Sequence, residues 1–155
     1  MKIILFLSLL IWVIPGFGKV KIQKPRSQHV TAFAIIVDEM TLEKTGGAVE
    51  AYRDALEADG LSTYIVSGNW KNPDEVKAEI IKLNKRKPVL EGVVFIGDIP
   101  VALIRNAQHM TTAFKMNEDE FPFPESSVPS DRFYDDLHLT FDFICQDSVN
   151  TSHFY

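Results

Sequence analysis

Three apolar segments that alternate with two helical patterns limit the folds open to this chain more than any other feature. The segments at 30–37, 61–66 and 90–96 are rich in valine and isoleucine and poor in charge, as strands buried on both faces are. Amphipathic patterns at 48–59 and 73–87 separate them. Strand–helix–strand–helix–strand with short connections predicts an α/β fold built on a parallel sheet with right-handed crossovers.

The second helical pattern has clear start and stop signals. Asn72 suits the N-cap, Pro73 the first helical position, and Glu75 completes a capping box. Basic residues crowd the far end of the pattern before Pro88, where they interact favourably with the helix dipole. The stripe expected to face the sheet consists of Val76, Ile80 and Leu83.

The first helical pattern is predicted to follow a loop that contains Gly46 and Gly47. Gly60 stands where a C-terminal cap belongs, so the helix is expected to end just before it. The stripe expected to be buried consists of Val49, Tyr52 and Leu56.

The chain beyond Pro100 carries weaker signals. An acidic and then proline-rich stretch at 117–129 predicts a loop. Short strands are predicted at 101–104, 112–116 and 142–145.

The first 18 residues have the three parts of a secretory signal peptide. A short positive start precedes the apolar run Ile3–Ile14, and glycine occupies positions 16 and 18. The run is too short for a membrane-spanning helix, which needs about 20 residues. We therefore expect cleavage near Gly18, a secreted, periplasmic or cell-envelope location, and no stable membrane span after cleavage. An uncleaved anchor is the alternative.

Cleavage divides the chain into a signal peptide at 1–18, an irregular polar segment at 19–29 and one α/β domain at 30–155. The processed chain carries 21 acidic and 15 basic side chains, because the signal peptide contains only Lys2 among charged residues. An acidic protein without a basic surface cluster is a poor partner for nucleic acid, so none is predicted.

The turn after the first strand argues against a dinucleotide site. Residues 38–41 read Asp-Glu-Met-Thr, with no glycine to let the backbone approach a phosphate and with two carboxylates that repel it. Zinc is also disfavoured, because the four histidines lack the spacing of metal ligands to each other or to Cys145. These histidines are His29, His109, His138 and His153.

Two further side-chain patterns could carry chemistry. Cys145 is the single cysteine. It is a buried inert thiol, the commoner case, an intermolecular disulfide partner, or a nucleophile that needs a histidine brought to it by the fold. Asp131, Asp135 and Asp136 place three carboxylates in one short turn, and calcium prefers several oxygen ligands close together. These three residues are the candidate calcium ligands, with a solvated acidic loop as the alternative.

Polar residues follow each of the three predicted parallel strands. Asp38 and Glu39 follow the first strand, Asn69 and Trp70 the second, and Asp98 the third. Because the carboxyl ends of parallel strands meet at one edge of a sheet, these five side chains are expected to converge on a crevice where ligands of open α/β sheets bind. Ordinary loop chemistry is the alternative interpretation.

Two segments resemble the gingipain-like family of secreted cysteine peptidases. Residues 93–100 read Val-Val-Phe-Ile-Gly-Asp-Ile-Pro, similar to an apolar strand of the family that ends in Gly-Asp with a proline soon after. Residues 129–137 read Pro-Ser-Asp-Arg-Phe-Tyr-Asp-Asp-Leu, similar to the family's Ser-Asp-x-x-Tyr-x-Asp-Leu segment. Their order and separation also match, and the resemblance covers roughly residues 30–137.

The resemblance implies a caspase-like α/β fold whose first half is a doubly wound sheet without catalytic residues. In this family the working histidine and cysteine come later in the chain, and the histidine is followed by glycine. No histidine here precedes glycine, and Cys145 matches no nucleophile position of the family. The family's later Gly-Arg pair is also missing, so the resemblance implies an incomplete domain and no catalytic residue in this chain.

Three functional hypotheses follow. The first is the exported N-terminal portion of a gingipain-like cysteine peptidase, inactive alone, whose partner is the missing C-terminal catalytic half or a protein or peptide substrate. The second is a non-catalytic exported binding module that uses the strand-end crevice, and the third is a small hydrolase that uses Cys145. Under the first, three parallel strands with two helices leave at least one sheet edge and part of one face uncovered, so the isolated chain is expected to be marginally stable or to self-associate.

Overall fold

The computed structural model describes residues 20–104, 119–122, 126–138, 140, 142–143 and 145–155. Two mixed sheets and three helices in these residues confirm the predicted α/β class. In chain order they are β1 (Lys21–Gln23), β2 (Thr31–Asp38), α1 (Glu39–Ala58), β3 (Leu61–Gly68), α2 (Pro73–Asn84), β4 (Val89–Ile96), β5 (Val101–Ile104), β6 (Val128–Pro129), α3 (Arg132–Asp135) and β7 (His153–Phe154).

The larger sheet has the strand order β1-β3-β2-β4. Strand β2 lies at its centre and pairs in parallel with β3 and with β4, as the charge-free run at 30–37 predicts. This strand order could not be predicted from the sequence, because propensity and periodicity do not determine which strands become neighbours. Helices α1 and α2 connect the three parallel strands and pack against different clusters of core residues.

The segment at 19–29, predicted to be irregular, contributes an edge strand instead. Strand β1 pairs antiparallel with β3, with Lys21 opposite Ser67. Its three residues are too few to produce a periodic signal in the sequence, and Ile22 supplies the apolar contact that holds it on the core. The polar remainder of the segment crosses α1, where the Arg26 guanidinium donates to Asp54 Oδ1 at 2.7 Å.

Helix α1 begins nine residues earlier than predicted, and the expected glycine loop lies inside it. Asp38 caps its start, because Asp38 Oδ1 accepts from the Thr41 N–H at 2.9 Å. The helix bends at Thr45, where φ is −124° and ψ is 15°. It ends as predicted before Gly60, which has a φ of +95°.

The buried stripe of α1 also differs from the prediction at one position. Val49 is buried, but the Tyr52 side chain is 41% exposed. Arg53 and Glu57 are buried in its place, one helical turn apart, because the polar segment before β2 covers them. Glu57 Oε2 accepts from the Ser27 N–H at 3.0 Å and from the Ser27 hydroxyl at 2.7 Å.

Helix α2 confirms its start signals and its buried stripe. Asn72 Oδ1 accepts from the Glu75 N–H at 3.0 Å, and Glu75 Oε2 accepts from the Lys71 N–H at 2.9 Å. In the usual capping box the glutamate side chain accepts from the N–H of the N-cap residue, but here it accepts from the N–H of Lys71, one residue earlier. The three predicted core residues, Val76, Ile80 and Leu83, are at most 3% exposed.

The smaller sheet has the order β6-β5-β7. Strand β5 confirms the predicted strand at 101–104, whereas 112–116 lies outside the described residues. Residues 142, 143 and 145 belong to no strand, and Ile144 is outside the description. Cys145 instead exchanges backbone hydrogen bonds with Tyr155. None of the helices in the described part of the chain combines the length and hydropathy that a membrane crossing requires.

Candidate functional site

The carboxyl ends of β2, β3 and β4 enclose a crevice of about 300 Å³. It lies where the strand order reverses, because the connection after β2 leads to β3 on one side of it and the connection after β3 leads to β4 on the other. All five residues predicted to converge line it, joined by Met40, Glu43 and Gly68. The predicted residues are Asp38, Glu39, Asn69, Trp70 and Asp98.

The Asp38 carboxylate joins the end of β2 to the start of α1 and to the segment after β4. Its Oδ1 accepts from the Thr41 N–H at the start of α1, and its Oδ2 accepts from the Asp98 N–H after β4 at 2.9 Å. Burial alone would raise the pKa of this carboxyl, but the hydrogen bonds from Thr41 and Asp98 outweigh it and hold the pKa below its ordinary value. Asp38 therefore occupies the anion position at the N-terminus of α1 that a phosphate takes in nucleotide-binding folds.

Trp70 forms the apolar wall of the crevice. Its side chain is buried at 9% exposure, and its indole Nε1 donates to the Val37 carbonyl oxygen at 3.2 Å. The ring lies against Gly68, whose added Cβ would approach the Trp70 ring to 3.2 Å. The aromatic wall is therefore fixed by both a hydrogen bond and close packing.

The charge of the crevice is negative. Glu43 and Asp98 are exposed along it, Asp38 lies at its base, and Glu39 accepts a hydrogen bond from the Lys21 ammonium. That bond raises the pKa of Lys21. With its carboxylates and one aromatic wall, the crevice suits an amine or guanidinium group and repels phosphate.

Replacing Asp38 with asparagine should destabilise the fold at pH 7 by about 2 kcal/mol, because an amide acceptor is weaker and its NH₂ opposes one of the two N–H donors. The folded-state pKa of Asp38 is lowered, so its contribution is complete above the unfolded-state pKa of about 3.9 and is lost as pH falls through the lower folded-state value. The difference between the two proteins should therefore shrink between pH 5 and pH 2. Urea unfolding at several pH values measures it.

The Asp98→Asn variant is the control for that experiment. It removes an exposed carboxylate from the same crevice but keeps the backbone N–H that bonds Asp38. If the Asp38→Asn difference stays constant down to pH 2, the Asp38 carboxylate does not hold the strand ends together through its charge.

Cys145 does not have the environment predicted as its commoner case. The thiol is exposed rather than buried. Its backbone N–H and carbonyl oxygen exchange hydrogen bonds with Tyr155, while its side chain lies at the surface. Among the described residues no imidazole is hydrogen-bonded to the thiol, so the described fold supplies no activating base.

The candidate calcium ligands lie on α3 and at its two ends. Asp135 is exposed and Asp136 half-buried, and both lie within 4 Å of the Arg132 guanidinium. Asp136 Oδ1 also accepts from the His138 N–H. Across the residues that the structure describes, no three acidic, histidine or cysteine side chains are grouped as metal ligands. The structure therefore adds no support for calcium binding at Asp131, Asp135 and Asp136, which stays a prediction for calcium titration.

A second concave surface was not predicted from the sequence. An open groove of about 840 Å³ runs along β4 and is lined by each residue from Leu90 to Phe95. Since successive side chains of a strand point to opposite faces, a groove lined by consecutive residues follows the strand's edge. Ile80 of α2 and Tyr134 and Leu137 of the α3 region form one wall.

In comparisons with known proteins, no family model, no curated protein and no solved structure matches the chain.

Proposed function

We propose that this chain is the non-catalytic N-terminal half of an exported gingipain-like cysteine peptidase. Its role would be to support the C-terminal half, which carries the catalytic residues. The observation that carries the proposal is the contact between the two segments that resemble the family. They are separated by about 30 residues in sequence, yet 129–137 packs directly on 93–100.

Tyr134 makes that contact. Its ring centroid lies 4.8 Å from that of Phe95, and its hydroxyl donates to the Pro100 carbonyl oxygen. Burial raises the pKa of the Tyr134 phenol, so it stays a hydrogen-bond donor at all ordinary pH values. In the resembling segment this is the tyrosine of the Ser-Asp-x-x-Tyr-x-Asp-Leu pattern, so the residue that carries the resemblance also has a structural role.

The order of the parallel strands supports a caspase-like, doubly wound arrangement that is incomplete. Counted along the chain, the parallel strands β3, β2 and β4 are arranged 2-1-3, which is how doubly wound sheets of the flavodoxin type begin. The next strand of such a sheet pairs with the third. In the described residues β4 pairs with β2 alone, so its other edge is the position that a catalytic half would extend.

The test begins with the DNA beyond the codon for Tyr155. We expect a reading frame, in phase or after one frameshift, that encodes a Gly-Arg pair, a His-Gly pair and a later cysteine. Co-expression of that product with this chain should give casein hydrolysis that neither half shows alone. Unrelated sequence beyond the codon, or hydrolysis by this chain alone that Cys145→Ser abolishes, would contradict the proposal.

The crevice supports a second candidate, a non-catalytic exported module that binds cationic groups. The specific observation is the convergence of the five predicted residues on one acidic cavity with an aromatic wall. Titration with arginine amide, followed by Trp70 fluorescence, should show saturable binding that Glu43→Gln weakens. Unchanged fluorescence at millimolar arginine amide would remove this candidate.

A further inference from the structure

The two edges of the larger sheet differ in how they are protected. Strand β1 is three residues long, and its Lys21 forms an ion pair with Glu39. Short strands and lysines are the usual means by which proteins prevent edge-to-edge pairing. Strand β4, at the opposite edge, is eight residues long and contains neither lysine nor proline.

The protection that β4 has is confined to one position. The register with β2 shifts after Ala32, so that Glu91 is the extra residue of a bulge, and Glu91 is also the only charge in the strand. Bulges and charges both disfavour pairing. Beyond it, Gly92–Ile96 forms a regular and uncharged edge of five residues, each only partly buried.

Within the part of the chain that the structure describes, this five-residue edge is open. The groove of about 840 Å³ follows it, and no strand among the described residues pairs with it. The side chains around it are apolar on both faces: Val93 and Phe95 pack on the α2 side, and Val94 and Ile96 on the α1 side. The groove wall carries both signs of charge, with Arg132 beside Asp131 and Asp135.

We propose that the free edge of β4 pairs with β4 of a second copy of this chain. A strand can always pair antiparallel with its own copy about a two-fold axis, and the mixed charges of the groove wall give each copy an arginine and carboxylates to present to the other. An axis at Val94, the middle of the regular edge, pairs Gly92 with Ile96 and Val93 with Phe95 of the second copy. Glu91 then lies outside the paired segment and faces no like charge.

The proposal does not depend on the proposed function. A catalytic half would compete for the same edge, so the second copy occupies it when that half is absent. Dimerisation is measured on this chain alone, whereas the proposed function is tested by co-expression, so the failure of one leaves the other standing.

The first experiment is sedimentation analysis of the chain from residue 19 onward over a range of concentrations. We expect a reversible monomer–dimer equilibrium that ends at two copies. Val94→Lys places two ammonium groups face to face at the axis and should weaken the dimer by about ten-fold or more. Val149→Lys is the matched control: Val149 is 86% exposed and lies outside the groove, so its dimer should be unchanged.

A cross-linking variant maps the contact without relying on a charged substitution. In a Cys145→Ser background, Val94→Cys changes the strand little and places the new thiol opposite its own copy, where directly paired residues lie about 4.5–5.5 Å apart, within disulfide range. Mild oxidation should give a covalent dimer faster than Val149→Cys does, although Val149 is far more exposed. A monomer at all concentrations, or equal cross-linking at the two positions, would overturn the proposal and leave the edge to a strand of another protein.

Discussion

Replacing Phe133 with alanine is expected to lower the free energy of unfolding by about 4 kcal/mol, the largest loss we foresee for one truncated side chain. Phe133 is 1% exposed. Its ring packs edge-on against Tyr134 at a centroid separation of 5.0 Å and at a tilt against Phe143 at 5.5 Å. The Lys77 ammonium lies 4.6 Å above the ring. Truncation leaves a cavity where α2, α3 and the sheet meet and removes these ring contacts.

Urea unfolding followed by Trp70 fluorescence measures this loss, because Trp70 is the single tryptophan after residue 18. Phe133→Leu keeps most of the apolar volume but removes the aromatic contacts, so its loss should be about 1.5 kcal/mol. A loss below about 1 kcal/mol for the alanine variant would mean that 129–137 is not docked on the core, and would undermine the contact on which the proposed function depends.

Gly97→Ala is expected to cost about 3 kcal/mol for a different reason. Gly97 has a φ of +87°, and a Cβ there would lie 1.9 Å from Asp38 Oδ2 and 2.4 Å from Thr41 Oγ1. The variant therefore combines backbone strain with displacement of the carboxylate that joins β2, α1 and β4. Thermal and urea unfolding measure the loss. In this variant the decrease in unfolding free energy on going from neutral to low pH, which we attribute to Asp38, should also be smaller.

Two other glycines separate strain from steric clash. Gly60 has a φ of +95° with nothing within 4 Å of its added Cβ, so Gly60→Ala should cost about 1 kcal/mol from strain alone. Gly47 lies inside α1 with open space around it, and Gly47→Ala should stabilise by about 0.5–1 kcal/mol. Equal losses of unfolding free energy for Gly97→Ala and Gly60→Ala would show that the Asp38 side chain moves aside without destabilising the fold.

The elements that could be predicted from the sequence are those whose ends have their own local chemistry. Helix α2 was predicted because Asn72 and Pro73 form its start within four residues of sequence, and its core stripe repeats regularly. Helix α1 was predicted too short, because Gly46 and Gly47 suggest a loop when read alone. The Asp38 cap and the packing of the helix on β2 and β3 outweigh the weak helix propensity of these two glycines.

The crevice could be predicted, and the groove could not, for a topological reason. Any set of parallel strands brings its carboxyl ends together, so the residues that follow β2, β3 and β4 converge whatever the strand order. Which strand becomes an edge depends on that order, and strand order follows from long-range packing. The groove beside Leu90–Phe95 also needs Tyr134, which comes from a segment about 40 residues later in the chain.

The short strand β1 has a consequence for how far any association can proceed. A sheet that pairs through β4 presents β1 at both of its outer ends, and each of these ends is three residues long with a lysine in an ion pair. Addition of a third copy would require a second adhesive edge, and the chain has only one among its described strands. If β4 pairs as proposed, growth therefore stops at a closed pair instead of continuing into fibres.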